Sequence, residues 1–173
     1  ASGCSPDKTH FMKRSIFPFL LLFLTISGFS QTVKKLKIDQ LISYIDSSDH
    51  PLVVSFWATW CAPCVEEIPW LQAGVEKYKN EKVELVLVSL DFDSEYPTGL
   101  QSFIKKKNFN ATFFWLDESN ADYFCPKVDE KWSGGIPATL FINKSTGYRK
   151  FFERQLTDRQ VEPEIKLLIA PAK

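Results

Sequence analysis

Cys61-Ala62-Pro63-Cys64 follows directly on the strand-like run Leu52-Val53-Val54-Ser55-Phe56-Trp57 and precedes a helical stretch that opens at Val65. That placement constrains fold and chemistry together. A thiol at a helix N-terminus meets unpaired backbone N–H groups and the positive end of the helix dipole, both of which stabilise its thiolate. The second thiol lies one turn along the same face, within reach of a disulfide. Pro63 falls in the first turn, where its missing N–H costs nothing. Such a pair reads as redox-active, with Cys61 the candidate nucleophile and Cys64 the resolving thiol. Two other uses exist for such a pair. One is half of a four-ligand zinc site, for which Cys125 and His50 are the further ligands on offer. The other is a structural disulfide, although so short a loop gives little entropic stabilisation.

The pattern around the cysteines predicts an α/β chain. Ile38, Leu41, Ile42 and Ile45 recur at helical spacing ahead of a buried strand over 52–58, and Ser47-Ser48-Asp49-His50-Pro51 separates the two. Ile68, Leu71, Val75 and Tyr78 share one face of the helix after Cys64, and Pro69 should kink it. The β-rich run from Lys82 to Leu90 completes a strand–helix–strand unit, which is right-handed with parallel strands. Leu100, Phe103 and Ile104 mark a further helix, and Thr112 to Leu116 a short strand. Ala138–Asn143 and Tyr148–Phe152 flank Lys144-Ser145-Thr146-Gly147 as a hairpin. Val161, Ile165, Leu168 and Ile169 define a closing helix.

Lys+Arg and Asp+Glu number 21 each, so no charge excess points to nucleic acid or an anionic surface as partner. The N-terminal region is organised differently from the rest. Met12-Lys13-Arg14-Ser15 is a basic start, residues 16–26 are apolar, and Ser27-Gly28-Phe29-Ser30 supplies the small residues of a cleavage site before Gln31. Residues 12–30 therefore read as a signal peptide and 31–173 as one domain; an uncleaved membrane tether is the alternative. Residues 1–11 precede the expected start and read as an extraneous leader, with Cys4 not a lipidation site because no apolar region precedes it. Export leaves Cys61, Cys64 and Cys125, an odd number that suits a redox enzyme better than a disulfide scaffold.

Phe56-Trp57-Ala58-Thr59-Trp60-Cys61-Ala62-Pro63-Cys64 closely resembles the active-site segment of thioredoxin-like proteins. Cys64-Val65-Glu66-Glu67-Ile68-Pro69 is similar to the exported TlpA/ResA-type thiol-disulfide oxidoreductases, and Gly134-Gly135-Ile136-Pro137-Ala138-Thr139 resembles the family's cis-proline loop. The resemblance covers about residues 36–170. It implies a thioredoxin-like fold: a central mixed β-sheet flanked by helices, with a helical insertion before the cis-proline loop. It also implies a cis bond at Pro137 and thiol–disulfide exchange with disulfide-containing proteins outside the cytoplasm, as a reductant drawing on a membrane electron donor. Apocytochrome c maturation is one setting the resemblance suggests. Neither cofactor nor metal is expected, and a monomer is favoured.

The same resemblance supplies the remaining site candidates. Ile136 and Pro137 would face Cys61 and bind a partner strand through the Ile136 backbone, with Trp60, Ala62 and Pro63 completing the surface; Pro137 read alone is an ordinary trans proline. Glu67 is the proton-carrier candidate if partly buried, and otherwise a solvated helix glutamate, as Glu66 reads. Thioredoxins proper place a buried Asp where this chain has Ser55, which leaves Glu67 to that role. Trp57 reads as packing, and Cys125 as a small buried hydrophobe or else a third redox thiol. Two other functions compete. A peroxidase on this fold needs a Thr or Ser spaced ahead of a lone cysteine, and Thr59 is too close; a non-catalytic binding module has no use for an intact C-x-x-C.

Overall fold

Every side chain of β2 (Leu52–Trp57) is buried, and alternate residues go to opposite faces of the sheet. Val53 and Trp57 join one core cluster; Leu52, Val54 and Phe56 join the other. A strand covered on both faces must lie inside a layered α/β structure. The computed structural model, which describes residues 1–3 and 32–171, has that architecture. The expected signal peptide, the cleavage position before Gln31 and Cys4 lie outside the described residues.

In chain order the further elements are β1 (Lys34–Leu36), α1 (Ile38–Ser47), α2 (Ala62–Lys77), β3 (Glu84–Ser89), α3 (Thr98–Lys107), β4 (Thr112–Leu116), α4 (Ala121–Val128), β5 (Ala138–Asn143), β6 (Tyr148–Phe152) and α5 (Asp158–Ile169). They form one six-stranded sheet in the order β1-β4-β3-β2-β5-β6. The first four strands of that order are parallel, while β5 is antiparallel to β2 and β6 to β5. This is the mixed sheet expected. Helices α2, α3 and α5 cover one face and α1 and α4 the other, each through its apolar stripe.

Two expectations shift in detail. Helix α2 opens at Ala62 rather than Val65, because Cys61 itself is the N-cap residue and accepts a hydrogen bond from the Cys64 N–H at 3.3 Å. The helix then continues through Pro69 to Lys77. The strand expected to reach Ala58 ends at Trp57, where the chain turns and the Cys61 N–H bonds back to the Ala58 carbonyl. The crossing of α2 and α5 depends on Gly74: a Cβ there would lie 2.8 Å from Ile165 Cδ1 and Val161 Cγ1, both inside the core. Among the described residues no helix is long and apolar enough to cross a membrane.

Candidate active site

The C-terminal end of β2 delivers the cysteines to the N-terminus of α2. Cys61 and Cys64 are joined by a disulfide, with their Cα atoms 5.3 Å apart. Cys61 keeps 6% of its surface exposed and Cys64 only 1%. Of the two sulfurs Cys61 is thus the more accessible, and it stands at the N-cap of α2, a position that favours a thiolate in general. In the reduced protein Cys61 is the thiol expected to react first with iodoacetamide. Cys64 is shut inside the core, and burial pushes the Cys125 thiol up to about 11, with Glu153 and Asp122 adding to the rise. Peptide mapping after brief labelling checks this; faster labelling of Cys64 or Cys125 would overturn it.

Facing the disulfide is the loop before β5. The Ile136–Pro137 peptide is cis, and the Ile136 carbonyl oxygen lies 3.8 Å from Cys61 Sγ. A second cis bond, Tyr96–Pro97, has no counterpart in the sequence reading. The approach surface is open: Ala62 and Pro63 are exposed, Ile136 is half-buried and Pro137 is buried behind it. Trp60 is 58% exposed and stacks on Phe92. Trp57 packs inward against Phe103 and Phe109.

Glu67 is buried more deeply than the expected partial burial, with 1% of its surface exposed. It shares a stripe of α2 with Cys64, Ile68, Leu71 and Gly74, so helical periodicity carries it onto the face against the sheet. Both carboxyl oxygens are occupied: Thr139 Oγ1 on β5 donates to one at 3.0 Å, and the Leu156 N–H to the other at 2.8 Å. Thr139 is the register partner of Ser55, so the carboxyl reaches the sheet beside the position where thioredoxins proper carry their Asp. Burial pushes the Glu67 pKa up, opposed by the bonds from Leu156 and Thr139 and by the positive Arg154. Glu66, by contrast, is exposed.

With this geometry in view, the comparisons with known proteins are direct. The AhpC/TSA family model matches residues 29–147, and so spans both the cysteine pair and the cis-proline loop. The chain belongs to the AhpC/TSA family. Among its relatives, the thiol-disulfide oxidoreductase ResA of Oceanobacillus iheyensis is 41% identical over 127 residues, covering 73% of this chain and 62% of that protein. The chain thus spans less than two thirds of that relative's length. Among solved structures, a thioredoxin-related protein from Neisseria meningitidis serogroup B superposes with a TM-score of 0.60 at 22% identity, over 72% of this chain and 89% of that one. A secreted Mycobacterium tuberculosis disulfide oxidoreductase homologous to E. coli DsbE gives 0.52 at 22% identity, over 70% and 84%. These likenesses establish the thioredoxin-like fold.

This AhpC/TSA chain also holds its site together with residues that sequence reading passed over. Asp91, buried after β3, accepts from the Thr59 N–H at 3.0 Å, the Thr59 hydroxyl at 2.6 Å and the Ser89 hydroxyl at 2.7 Å. It fixes the turn that carries Trp60 and Cys61. The sheet register brings the two together: parallel pairing of Trp57 with Ser89 sets residues 59 and 91 side by side. Glu153 performs the matching task for the opposite loop, accepting from the Ser133 N–H, the Ser133 hydroxyl and the Gly135 N–H. Hydrogen bonds from Ser133 hold its carboxyl below the usual range. Gln155 donates to the Pro63 carbonyl at 3.0 Å. Residues 153–156 therefore touch the cis-proline loop, the cysteine turn and Glu67.

Proposed function

We propose that this protein is a thiol-disulfide oxidoreductase that reduces disulfides of partner proteins outside the cytoplasm. The observation that carries the reading is the Cys61–Cys64 disulfide at the N-terminus of α2, directly opposite the cis Ile136–Pro137 loop. In the reduced state the Cys61 thiolate attacks one sulfur of a partner disulfide. A Cys61–partner bond forms, and the partner's other sulfur leaves as a thiolate that takes up a proton. Cys64, once deprotonated, attacks Cys61 Sγ. The mixed disulfide breaks, the Cys61–Cys64 disulfide closes, and the partner leaves as a dithiol. Two electrons pass to the partner, and a reductant such as a membrane donor must return them before the next cycle.

Glu67 is assigned the proton transfer at Cys64, one helical turn away. Trp60, Ala62, Pro63, Ile136 and Pro137 are assigned to binding, with an extended partner segment pairing along the Ile136 backbone. Export through the 12–30 segment fits this chemistry, since protein disulfides persist outside the cytoplasm, and the Mycobacterium tuberculosis structural neighbour is described as secreted. Residues 31–173 are then the working domain, acting as a monomer. The test pairs insulin-disulfide reduction with peroxide consumption by the reduced protein. Insulin reduction without peroxide turnover supports the proposal. Peroxide turnover alone would favour a peroxidase, and neither would indicate a binding module. A reduction potential near thioredoxin's, about −270 mV, supports a reductant, and one near −120 mV an oxidant.

A further inference from the structure

Four large hydrophobic side chains stand exposed among the described residues: Trp60, Phe92, Tyr123 and Leu167. The two most exposed, Phe92 at 70% and Trp60 at 58%, lie against each other, with ring centroids 6.3 Å apart and planes inclined by 26°. Trp60 is the chain neighbour of Cys61. Phe92 lies on the loop that follows β3, the parallel neighbour of β2, at the same end of the sheet.

The stack is held from beneath. Asp91 precedes Phe92, and its carboxyl grips Thr59, which precedes Trp60. The Asp91 backbone carbonyl accepts from Trp115 Nε1 at 2.8 Å, and the Leu90 N–H donates to the Trp57 carbonyl at 2.8 Å. One buried carboxyl thus fixes both ring-bearing segments. Neither ring belongs to either core cluster. A preformed aromatic surface loses little entropy when something docks on it.

Its surroundings are acidic. The stretch Asp91-Phe92-Asp93-Ser94-Glu95 holds three acids and no base, and Asp93 is exposed. Beyond Phe92 opens a cavity of about 460 Å³ lined in part by Asp93, Asp117, Glu118 and Phe124. Lys37 on its wall and the neighbouring Lys35 are both committed to Asp117, at 3.0 and 3.1 Å, so the acids left facing the aromatic pair are Asp93 and Glu118. Exposed aromatic faces flanked by carboxylates favour a cationic side chain, through ring quadrupole and charge together.

We infer that Trp60 and Phe92, with Asp93 beside them, form a docking platform for substrate segments that carry an apolar and a basic residue next to the reactive cysteine. This rests on the proposed protein-disulfide exchange and gives that exchange its preference. The partner strand lies along Ile136 on one side of Cys61, and its flanking side chains cross the sulfur onto the aromatic pair on the other. Phe92 and Asp93 are specificity-determining residues and take no part in the sulfur chemistry.

The test uses the reduced protein and two disulfide-cyclised peptides, Lys-Phe-Cys-Ala-Ala-Cys-Lys and its counterpart with Glu in place of each Lys. Oxidised glutathione serves as the small disulfide. The wild type is expected to reduce the lysine peptide with kcat/KM about tenfold above the glutamate peptide, and the gap should narrow with added salt. Phe92→Ala should raise KM for the lysine peptide about fivefold to tenfold, and so lower the peptide-to-glutathione rate ratio by the same factor. Asp93→Lys should abolish or invert the charge preference, and as an exposed position it leaves the fold intact. Unchanged KM and unchanged preference in both variants would overturn the platform while leaving the oxidoreductase assignment standing. Failure of the wild type to reduce either peptide or insulin, with glutathione exchange intact, would remove the proposed function and the platform with it.

Discussion

Cys61→Ser is expected to lower insulin reduction by about three orders of magnitude or more, since nothing else in the site can replace the attacking sulfur. Cys64→Ala should behave differently. Cys61 keeps its N-cap position and its exposed edge, so the first attack proceeds, but the buried sulfur that releases the partner is gone. A mixed disulfide should therefore accumulate. Non-reducing gels of the Cys64→Ala protein incubated with unfolded disulfide-containing protein would show a reducible adduct, absent with the Cys61→Ser/Cys64→Ala double variant. An adduct that forms equally through Cys125 would reassign the nucleophile. That result runs against the structure, where the Cys125 thiol is buried and raised to about 11 by that burial.

The asymmetry between the two cysteines follows from local sequence. A helix that starts with Ala62-Pro63 leaves Cys61 outside the first turn and Cys64 on its inner face, so spacing alone separates an accessible thiol from a sheltered one. The position of Cys61 ahead of a helix was legible without coordinates, whereas the helix start at Ala62 and the depth of Cys64 were not. Also legible were β4, the β5–β6 hairpin with Gly147 at φ 72°, and the stripes of α1 and α5, because each is a strong local pattern. One element was not. Strand β1 is Lys34-Lys35-Leu36, three residues with two charges, and it exists because pairing with β4 rewards an edge position that its own composition does not suggest. Helix α4 is the helical insertion that the family resemblance implied before the cis-proline loop; it contains Pro126 and is too short for its buried Phe124, Cys125 and Val128 to set a period, so the resemblance and not the spacing pointed to it.

The carboxyl groups show the same division. Glu67 was legible as a residue on the correct helix face, but its depth of burial was not. Its partners Thr139 and Leu156 lie 72 and 89 residues away in the chain, and only the closed fold brings them to it. Asp91 and Glu153 have no motif around them. Each is recognisable only once the sheet register sets it beside a loop whose backbone N–H groups need an acceptor. Sequence located the cysteine pair, and the fold revealed the carboxyls that hold the loops around it.

Glu67 yields the second large effect, and two substitutions separate its two contributions. Glu67→Ala leaves the Leu156 N–H and the Thr139 hydroxyl buried without an acceptor, at about 1–3 kcal/mol each, so the folded state should lose several kcal/mol in urea unfolding. Glu67→Gln keeps both contacts, because the amide oxygen can accept from Leu156 while its NH2 donates to the Thr139 oxygen. The amide also removes the cost of burying an ionised group. Burial raises the folded-state pKa of Glu67, so the native form holds its proton more tightly than the unfolded chain does. Its contribution to stability is therefore fully present below the ordinary glutamate value, about 4.3, and is lost as pH rises through the folded value. At neutral pH Glu67→Gln should be at least as stable as wild type, with the advantage gone near pH 4. Activity should move the other way. Without the carboxylate the thiols ionise more easily, so their joint titration shifts to lower pH. Exchange should nonetheless slow by about one to two orders of magnitude, because the route for the Cys64 proton is lost. Thiolate absorbance against pH, read with insulin-reduction rates on the same two proteins, distinguishes the roles. Coincident titrations and equal rates would leave Glu67 a structural tie between α2, β5 and the 155–157 loop.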